Sequence, residues 1–330
     1  MSLEDKFGRQ YDYLRISVTD RCNLRCIYCM GPEGIKLLPH QDILTYEEIV
    51  RFVEILAPLG IKKLRITGGE PLVRKGIENL IGSLSNIPGI KDVALTTNGQ
   101  LLAKNLEKLK EKGLNRLNIS VDSLRPITYK KITRGGDLNN VLAGIKKALA
   151  LNFSPIKLNV VLMAGINELE IADFLKLTLD YPLHVRFIEY MPLDNHDTFW
   201  LNRYLPLQVV KDRALALGYR LNSYEGLPGN GTAEIFQINK AKGTIGLIHP
   251  VSGHFCSTCN RLRLTADGKF KPCLYWDEEI YVREAIGNPQ LLTGLIKEGL
   301  CKKKEKHLMA ESNPDYRSQV NLRSMAQIGG

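Results

Sequence analysis

The chain has 330 residues, 44% hydrophobic and 24% charged, an ordinary globular composition. No apolar run reaches the roughly 18 residues a membrane helix needs, and the polar start MSLEDKFGRQ lacks a secretory signal, so a cytoplasmic chain with no membrane partner is expected. A net charge of +10 points to an anionic partner, whether small molecule, nucleic acid or lipid, and the length to one large domain plus a smaller one.

In chain order, short β-rich runs alternate with amphipathic helices. Strands are predicted at 13–19, 62–67, 92–98, 116–122, 156–163 and 184–191. Helices are predicted between them at 45–57, 76–84, 101–112, 139–151 and 167–177. Thr45 with Glu48 forms a capping-box start to the first helix. Regular βα alternation implies a parallel sheet with helices outside. Six units fit before residue 217, whereas a complete barrel needs eight. The expected α/β fold is therefore an incomplete, open (β/α)6 TIM-like barrel. A doubly wound sheet is the alternative, although no G-x-G-x-x-G follows the first strand.

Alternation within the strands says more, because side chains switch faces with period two. The first strand opposes Leu14, Ile16 and Val18 to Arg15, Ser17 and Thr19. The second opposes Leu64 and Ile66 to Arg65 and Thr67. The fourth opposes Leu117, Ile119 and Val121 to Asn118, Ser120 and Asp122, and the fifth Leu158 and Val160 to Lys157 and Asn159. A barrel interior that serves only packing is filled by branched apolar residues. A polar face carrying cations predicts a cavity for a polar, anionic ligand. For any one residue, a satisfied core or edge position is the other reading.

Past residue 217 the pattern changes to short strands at 219–224, 233–238 and 244–247, with a Gly-rich turn at 227–231. A hairpin follows, with strands at 261–265 and 270–274 around Asp267-Gly268. The remainder reads as helical, then polar, ending Gln327-Ile328-Gly329-Gly330. The expected division is a partial barrel over 1–217 and a smaller α+β region over 218–330. The run Lys302-Lys303-Lys304 with Lys306 reads as a solvated helical face.

Seven cysteines in a cytosolic chain are a poor disulfide framework. Six fall into two trios, and Cys301 stands alone with no role assigned. The first trio, Cys22-x3-Cys26-x2-Cys29, directly follows strand one. Three thiolates there can hold three irons of a four-iron cluster and leave one iron open, because such clusters normally take four protein ligands. A zinc loop with a remote fourth ligand is the other reading. The second trio, Cys256-x2-Cys259-x13-Cys273, is equally open to zinc, with His249 or His254 as fourth ligand. Arg261 and Arg263 lie beside it on one strand face, and that favours an anionic ligand over a purely structural site.

The first trio with its context DRCNLRCIYC resembles the radical S-adenosylmethionine superfamily, and Gly68-Gly69-Glu70-Pro71 after strand two resembles that family's second motif. YLRISVTDRCNLRCIYCM, LRITGGEPLVR, TTNG, LNISVDS, VRFIEYMP and FCSTCNRLRLTADGKFKPCL, with the terminal Gly-Gly, are similar to the GTP 3′,8-cyclase family of molybdenum cofactor biosynthesis. The resemblance runs from about residue 9 to the C-terminus. It implies two 4Fe–4S clusters, one on Cys22, Cys26 and Cys29, the other on Cys256, Cys259 and Cys273 with an iron open to the substrate guanine, and a region over 218–330 that binds this second cluster and closes the barrel. It implies that Tyr28, Gly69, Ser120 and Met191 contact S-adenosylmethionine, and that Arg15, Arg65, Thr96, Lys157, Arg261 and Arg263 contact GTP. The implied activity is a lyase that makes (8S)-3′,8-cyclo-7,8-dihydroguanosine 5′-triphosphate. The implied partners are an electron donor such as a flavodoxin and a downstream cyclic pyranopterin monophosphate synthase, with no nucleic acid. A homodimer is compatible with it, and no residue is singled out as a catalytic acid or base. The terminal glycines are expected to act in the active site. Two rivals remain: a radical enzyme with an auxiliary cluster acting on a peptide, and a zinc-stabilised nucleic-acid binder.

Overall fold

The computed structural model describes residues 2–191, 200–225, 232–253, 255–308 and 323–329. The expected turn at 227–231, His254 and Gly330 lie outside these residues. Six parallel strands form first: β1 (Tyr13–Ser17), β2 (Lys63–Thr67), β3 (Asp92–Thr97), β4 (Arg116–Ser120), β5 (Ile156–Leu162) and β6 (Leu183–Glu189). Between and after them come α1 (Tyr46–Leu56), α2 (Ile77–Ser85), α3 (Leu102–Glu111), α4 (Pro126–Thr133), α5 (Leu138–Ala150), α6 (Ile171–Asp180), α7 (Trp200–Arg203) and α8 (Gln208–Ala216). No helix among the described residues is long and apolar enough to cross a membrane.

Local chemistry explains the boundaries. In α1 the Thr45 hydroxyl accepts from Glu48 N (3.1 Å) and the Glu48 carboxylate accepts from Thr45 N (2.6 Å), a cap that stabilises by about 1 kcal/mol. Its buried residues Ile49, Phe52, Val53 and Leu56 recur on one face. Helix α6 starts four residues later than the pattern predicts. Asn167 is occupied elsewhere, accepting from Met163 N and donating to the carbonyls of Asp122 and Val161, and Glu168 accepts from Gly165 N and Ile166 N. The chain therefore makes a local turn before it can start the helix. Helix α4 was not predicted; it is short and opens on a proline.

The strand order β1-β2-β3-β4-β5-β6 runs without reversal, which removes the doubly wound alternative. The C-terminal strands extend the same sheet: β10 (Arg261–Leu264) lies parallel beside β1 and β9 (Thr244–Ile248) parallel beside β6. Antiparallel strands continue outward, β11 (Lys269–Lys271) and β12 (Ile280–Tyr281) on one side, β8 (Glu234–Ile238) and β7 (Leu221–Ser223) on the other. The end strands β12 and β7 do not pair, so the barrel is open. Both edges of the parallel sheet are thereby covered.

The outer faces of the strands, including Leu14, Ile16, Leu64, Ile66, Leu117, Ile119, Leu158 and Val160, are buried in one continuous apolar core. Register aligns the inner face: Arg263, Arg15 and Arg65 stand level on adjacent strands, as do Asn118, Lys157 and His184. The chain closes with α9 (Pro289–Lys302) and α10 (Met325–Ile328).

Candidate active site

β1 ends at Ser17 and releases the loop that bears the first cysteine trio. That loop is held by its own backbone: Arg25 Nη1 donates to the carbonyls of Cys22 (2.8 Å) and Leu24 (2.9 Å), and the buried Asp20 carboxylate accepts from Leu38 N (2.6 Å). The turn after β2 packs directly against it, with Gly69 N donating to Thr19 O (2.7 Å) and Glu70 N to Arg21 O (2.8 Å). A Cβ on Gly69 would lie 2.3 Å from Arg21 O, so only glycine fits. The Glu70 carboxylate accepts from Leu72 N (3.0 Å), Thr97 Oγ1 (2.7 Å) and Asn98 N (2.7 Å), fastening this turn to the TTNG loop after β3. Burial pushes the Glu70 carboxyl up to about 7 against those three donors.

Cys22, Cys26, Cys29, Tyr28, Gly69, Thr96 and Ser120 line one cavity. The thiols are half-buried and free. Burial pushes all three up, Cys29 to about 12. They become thiolates when a metal cation displaces the protons. Among the described residues no three His, Cys, Asp or Glu are drawn together tightly enough for a single metal ion. The three thiols line one cavity, and three thiolates are the donor type that iron–sulfur clusters take. Tyr28 OH donates to Asp122 (2.8 Å), which also accepts from Val161 N (2.8 Å), so the ring is held at the cavity wall. Thr96 Oγ1 is buried without a protein hydrogen-bond partner.

Arg15, Arg65 and Lys157 are buried on the inner face as predicted, and three further cations join them. Arg116 pairs with Asp92 (2.7 Å through Nε), and Arg186 donates to Asn159 and Asn118 (2.9 and 2.8 Å). Arg263 follows on β10. Sequence reasoning missed Arg116 and Arg186, although Arg186 alternates with Val185 and Phe187 as plainly as Arg65 does with its neighbours. Burial lowers Arg15, Arg116, Lys157 (to about 6), Arg186 (to about 9) and Arg263 (to about 10), each also feeling neighbouring guanidiniums. His184, bonded to Thr244 Oγ1 (2.6 Å), falls to about 4 by burial and the adjacent Lys157. Arg65 Nε is buried without a protein partner. An interior that strains to keep its bases charged is complementary to a multiply charged anion.

Cys256, Cys259 and Cys273 line a second cavity with Arg261, Arg263 and Met191. Glu189, buried at the end of β6, accepts from Val251 N and Ser252 N (both 2.9 Å) and so fixes the approach to Cys256. Burial would push the Cys259 thiol up, but Arg261 and Lys303 bring it down to about 6. Cys256 of the same trio is instead raised by burial, as the first trio is. Met191, expected against the cofactor, lines this second cavity and packs with Val251, Tyr275 and Trp276. The solvated-face expectation for the lysine run needs correction. Lys303 is buried, 3.8 Å from Cys259 Sγ, with its ammonium 4.4 Å from the Tyr11 ring centroid. Arg9 ties this corner together, donating to the carbonyls of Cys256 (3.0 Å), Lys304 (2.9 Å) and Glu305 (2.9 Å).

The C-terminal tail lies between the two cavities. Arg323 binds both carboxylate oxygens of Asp267 (3.0 and 2.7 Å) and Glu279 (2.7 Å). Met325 and Ala326 then line the first cavity. Gly329 O accepts from Arg263 Nη1 at 2.8 Å. Gly329 has φ +70°, and a Cβ there would lie 2.1 Å from Thr67 Oγ1, so the tail threads a gap that admits only glycine. Gly330 lies outside the described residues.

Comparison with known proteins adds an independent line. The family model "Radical SAM superfamily" matches residues 16–178, and "Molybdenum Cofactor Synthesis C" matches 183–309. A protein of Listeria welshimeri serovar 6b named GTP 3′,8-cyclase is 52% identical over 330 residues, covering 99% of both chains. One of the same name from Alkaliphilus metalliredigens is 49% identical over 329 residues, covering 99% of this chain and 100% of that one. Among solved structures, Streptococcus suis SuiB bound to S-adenosylmethionine superposes with a TM-score of 0.58 at 15% identity, over 84% of this chain and 64% of that one. The anSMEcpe enzyme with bound AdoMet and a peptide superposes at 0.56 and 14% identity, over 92% and 84%. Likeness at that identity carries the fold alone.

Proposed function

The chain belongs to the radical S-adenosylmethionine superfamily and, within it, to the GTP 3′,8-cyclase family, and on that premise we propose how its residues divide the work. The enzyme is a lyase that converts GTP to (8S)-3′,8-cyclo-7,8-dihydroguanosine 5′-triphosphate, an isomer of GTP, in the first step of molybdenum cofactor biosynthesis. One observation carries the reading: the buried cations Arg15, Arg65 and Lys157 share one inner sheet face with Arg263, which lines the cavity of the second trio, and with Thr96 and Ser120, which line that of the first. A peptide substrate is not favoured, because the full-length relatives bear the cyclase name and the peptide-binding structures share only the fold.

Cys22, Cys26 and Cys29 would hold one 4Fe–4S cluster, with Gly69, Ser120 and Tyr28 walling the space for S-adenosylmethionine. Cys256, Cys259 and Cys273 would hold a second. Bound there, a reduced cluster and S-adenosylmethionine would supply radical chemistry able to take hydrogen from an unactivated carbon. The protein's task is to place C3′ of GTP within its reach and to keep water out. Arg15, Arg65, Lys157 and Arg186, with Thr96, would grip the triphosphate; Arg261 and Arg263 would hold the guanine end beside the second trio. Met191 would pack at the boundary between the cofactor and substrate spaces. The tail ending at Gly329 would seal the space between the cavities. The proposal includes a cytoplasmic enzyme, an electron donor such as a flavodoxin and a downstream cyclic pyranopterin monophosphate synthase.

Iron analysis tests the division. Anaerobically reconstituted protein should hold about eight irons, and the Cys22→Ala/Cys26→Ala/Cys29→Ala variant about four, with no 5′-deoxyadenosine formed. Iron content unchanged by the triple replacement would refute it.

A further inference from the structure

We propose that the outer face of α4, beside the first cysteine loop, is the docking surface for an acidic one-electron carrier of the flavodoxin type; this rests on the radical reading above. Helix α4 buries Tyr129, Ile132 and Thr133. Ile127, Lys130 and Lys131 recur at i, i+3 and i+4 and so share the opposite face, all three exposed. Ile127 is 87% exposed, more than any other large hydrophobic residue among those described. Leu169, 64% exposed, stands on a turn fastened to the start of α4: the Glu170 carboxylate accepts from Ser123 Oγ and Leu124 N, both at 2.7 Å.

A lone exposed isoleucine is common on protein surfaces. What distinguishes this one is its neighbourhood. Arg25 N donates to Thr133 O (3.1 Å) and Ile27 N to Ile132 O (2.9 Å). Arg134 Nη1 donates to the carbonyls of Arg25 (3.1 Å) and Met30 (2.7 Å). The last turn of α4 and the loop bearing the three thiols are therefore one hydrogen-bonded unit, and a carrier seated on α4 would stand one layer of chain from the cluster ligands.

Charge identifies the partner. Lys130 and Lys131 are exposed and form no ion pair with a described residue. The lysine run near the second trio is compensated: Lys302 pairs with Glu298 (2.5 Å), Lys304 with Glu278 (3.5 Å), and Lys303 is buried. The face on α4 thus offers an apolar contact rimmed by uncompensated positive charge, which suits a net-acidic carrier. The reaction needs such a carrier, because no residue of the chain supplies the electron.

The test compares two reductants on reconstituted holoenzyme. Dithionite needs no docking, whereas reduced flavodoxin does. Lys130→Glu/Lys131→Glu should leave dithionite-driven product formation unchanged. It should slow the reaction at subsaturating flavodoxin about tenfold at low salt, with the gap narrowing as salt screens the charges. Ile127→Ser should slow the flavodoxin reaction at every salt concentration. Unchanged flavodoxin rates in both variants would overturn the proposal, including the case in which the variants lose a dimer seen in the parent by light scattering. Loss of dithionite activity in the charge-reversed variant would make the face part of the catalytic fold and overturn it too. Parent enzyme inactive with dithionite would overturn the enzymatic reading and this one with it.

Discussion

Lys157 should make GTP binding consume a proton. It stands on the inner face of β5, 3% exposed. Burial, then the guanidiniums of Arg186, Arg116 and Arg65, hold its ammonium down at about 6. At pH 8 roughly one molecule in a hundred carries that charge in the free chain. A triphosphate seated on this face restores lysine's ordinary value of about 10.4, so the amine binds its proton back. Uptake is therefore about one proton at pH 8, and affinity falls about tenfold per pH unit between roughly 6 and 10. Arg186 and Arg263, held at about 9 and about 10, are mostly charged at pH 8 and add only about a tenth of a proton. Titration calorimetry in buffers of different ionisation heat measures the uptake directly. Lys157→Met should abolish it. No uptake in the parent, or uptake unchanged in Lys157→Met, would refute the reasoning. The same shift fixes a stability sign. Because the base is lowered in the folded state, the unfolded chain holds more protons between about 6 and 10.5. The contribution of Lys157 to ligand-free stability therefore rises as pH rises through that window and is lost as pH falls to about 6. Thermal unfolding of Lys157→Met against the parent should show that slope removed.

Arg263→Ala should weaken GTP binding about ten- to a hundredfold, since charge-assisted hydrogen bonds contribute roughly 1.5–3 kcal/mol; S-adenosylmethionine binding, measured by the same calorimetry, should barely change. Deleting Gly329 and Gly330 should cut cyclised product while iron content and S-adenosylmethionine binding persist, and unchanged yield would show the tail to be dispensable. Arg323→Ala should release the tail from Asp267 and Glu279, read as faster amide exchange over residues 324–329, with less product per 5′-deoxyadenosine formed.

The six βα units were legible because period-two alternation and helix caps are local signals. The polar inner face followed from the same alternation, which puts Arg15, Arg65, Ser120 and Lys157 on one side of their strands. What the chain does at its edges was not legible. That β10 pairs with β1, across most of the sequence, and β9 with β6, across α7, α8, β7 and β8, depends on long-range contacts, and β12 is two residues long. Lys303 shows the same limit: three consecutive lysines look solvated, and only the folded positions of Tyr11 and Cys259 bury the middle one. Glu70 carried a recognisable motif, yet its bond to the loop after β3 required the fold. Arg186 was a different kind of miss, because the alternation that found Arg65 also marks it.

The most direct test of the central claim is anaerobic turnover with S-adenosylmethionine, reductant and GTP deuterated at C3′, followed by mass analysis. The account predicts a product isomeric with GTP and 5′-deoxyadenosine carrying the deuterium. Unlabelled 5′-deoxyadenosine with GTP recovered intact would contradict it.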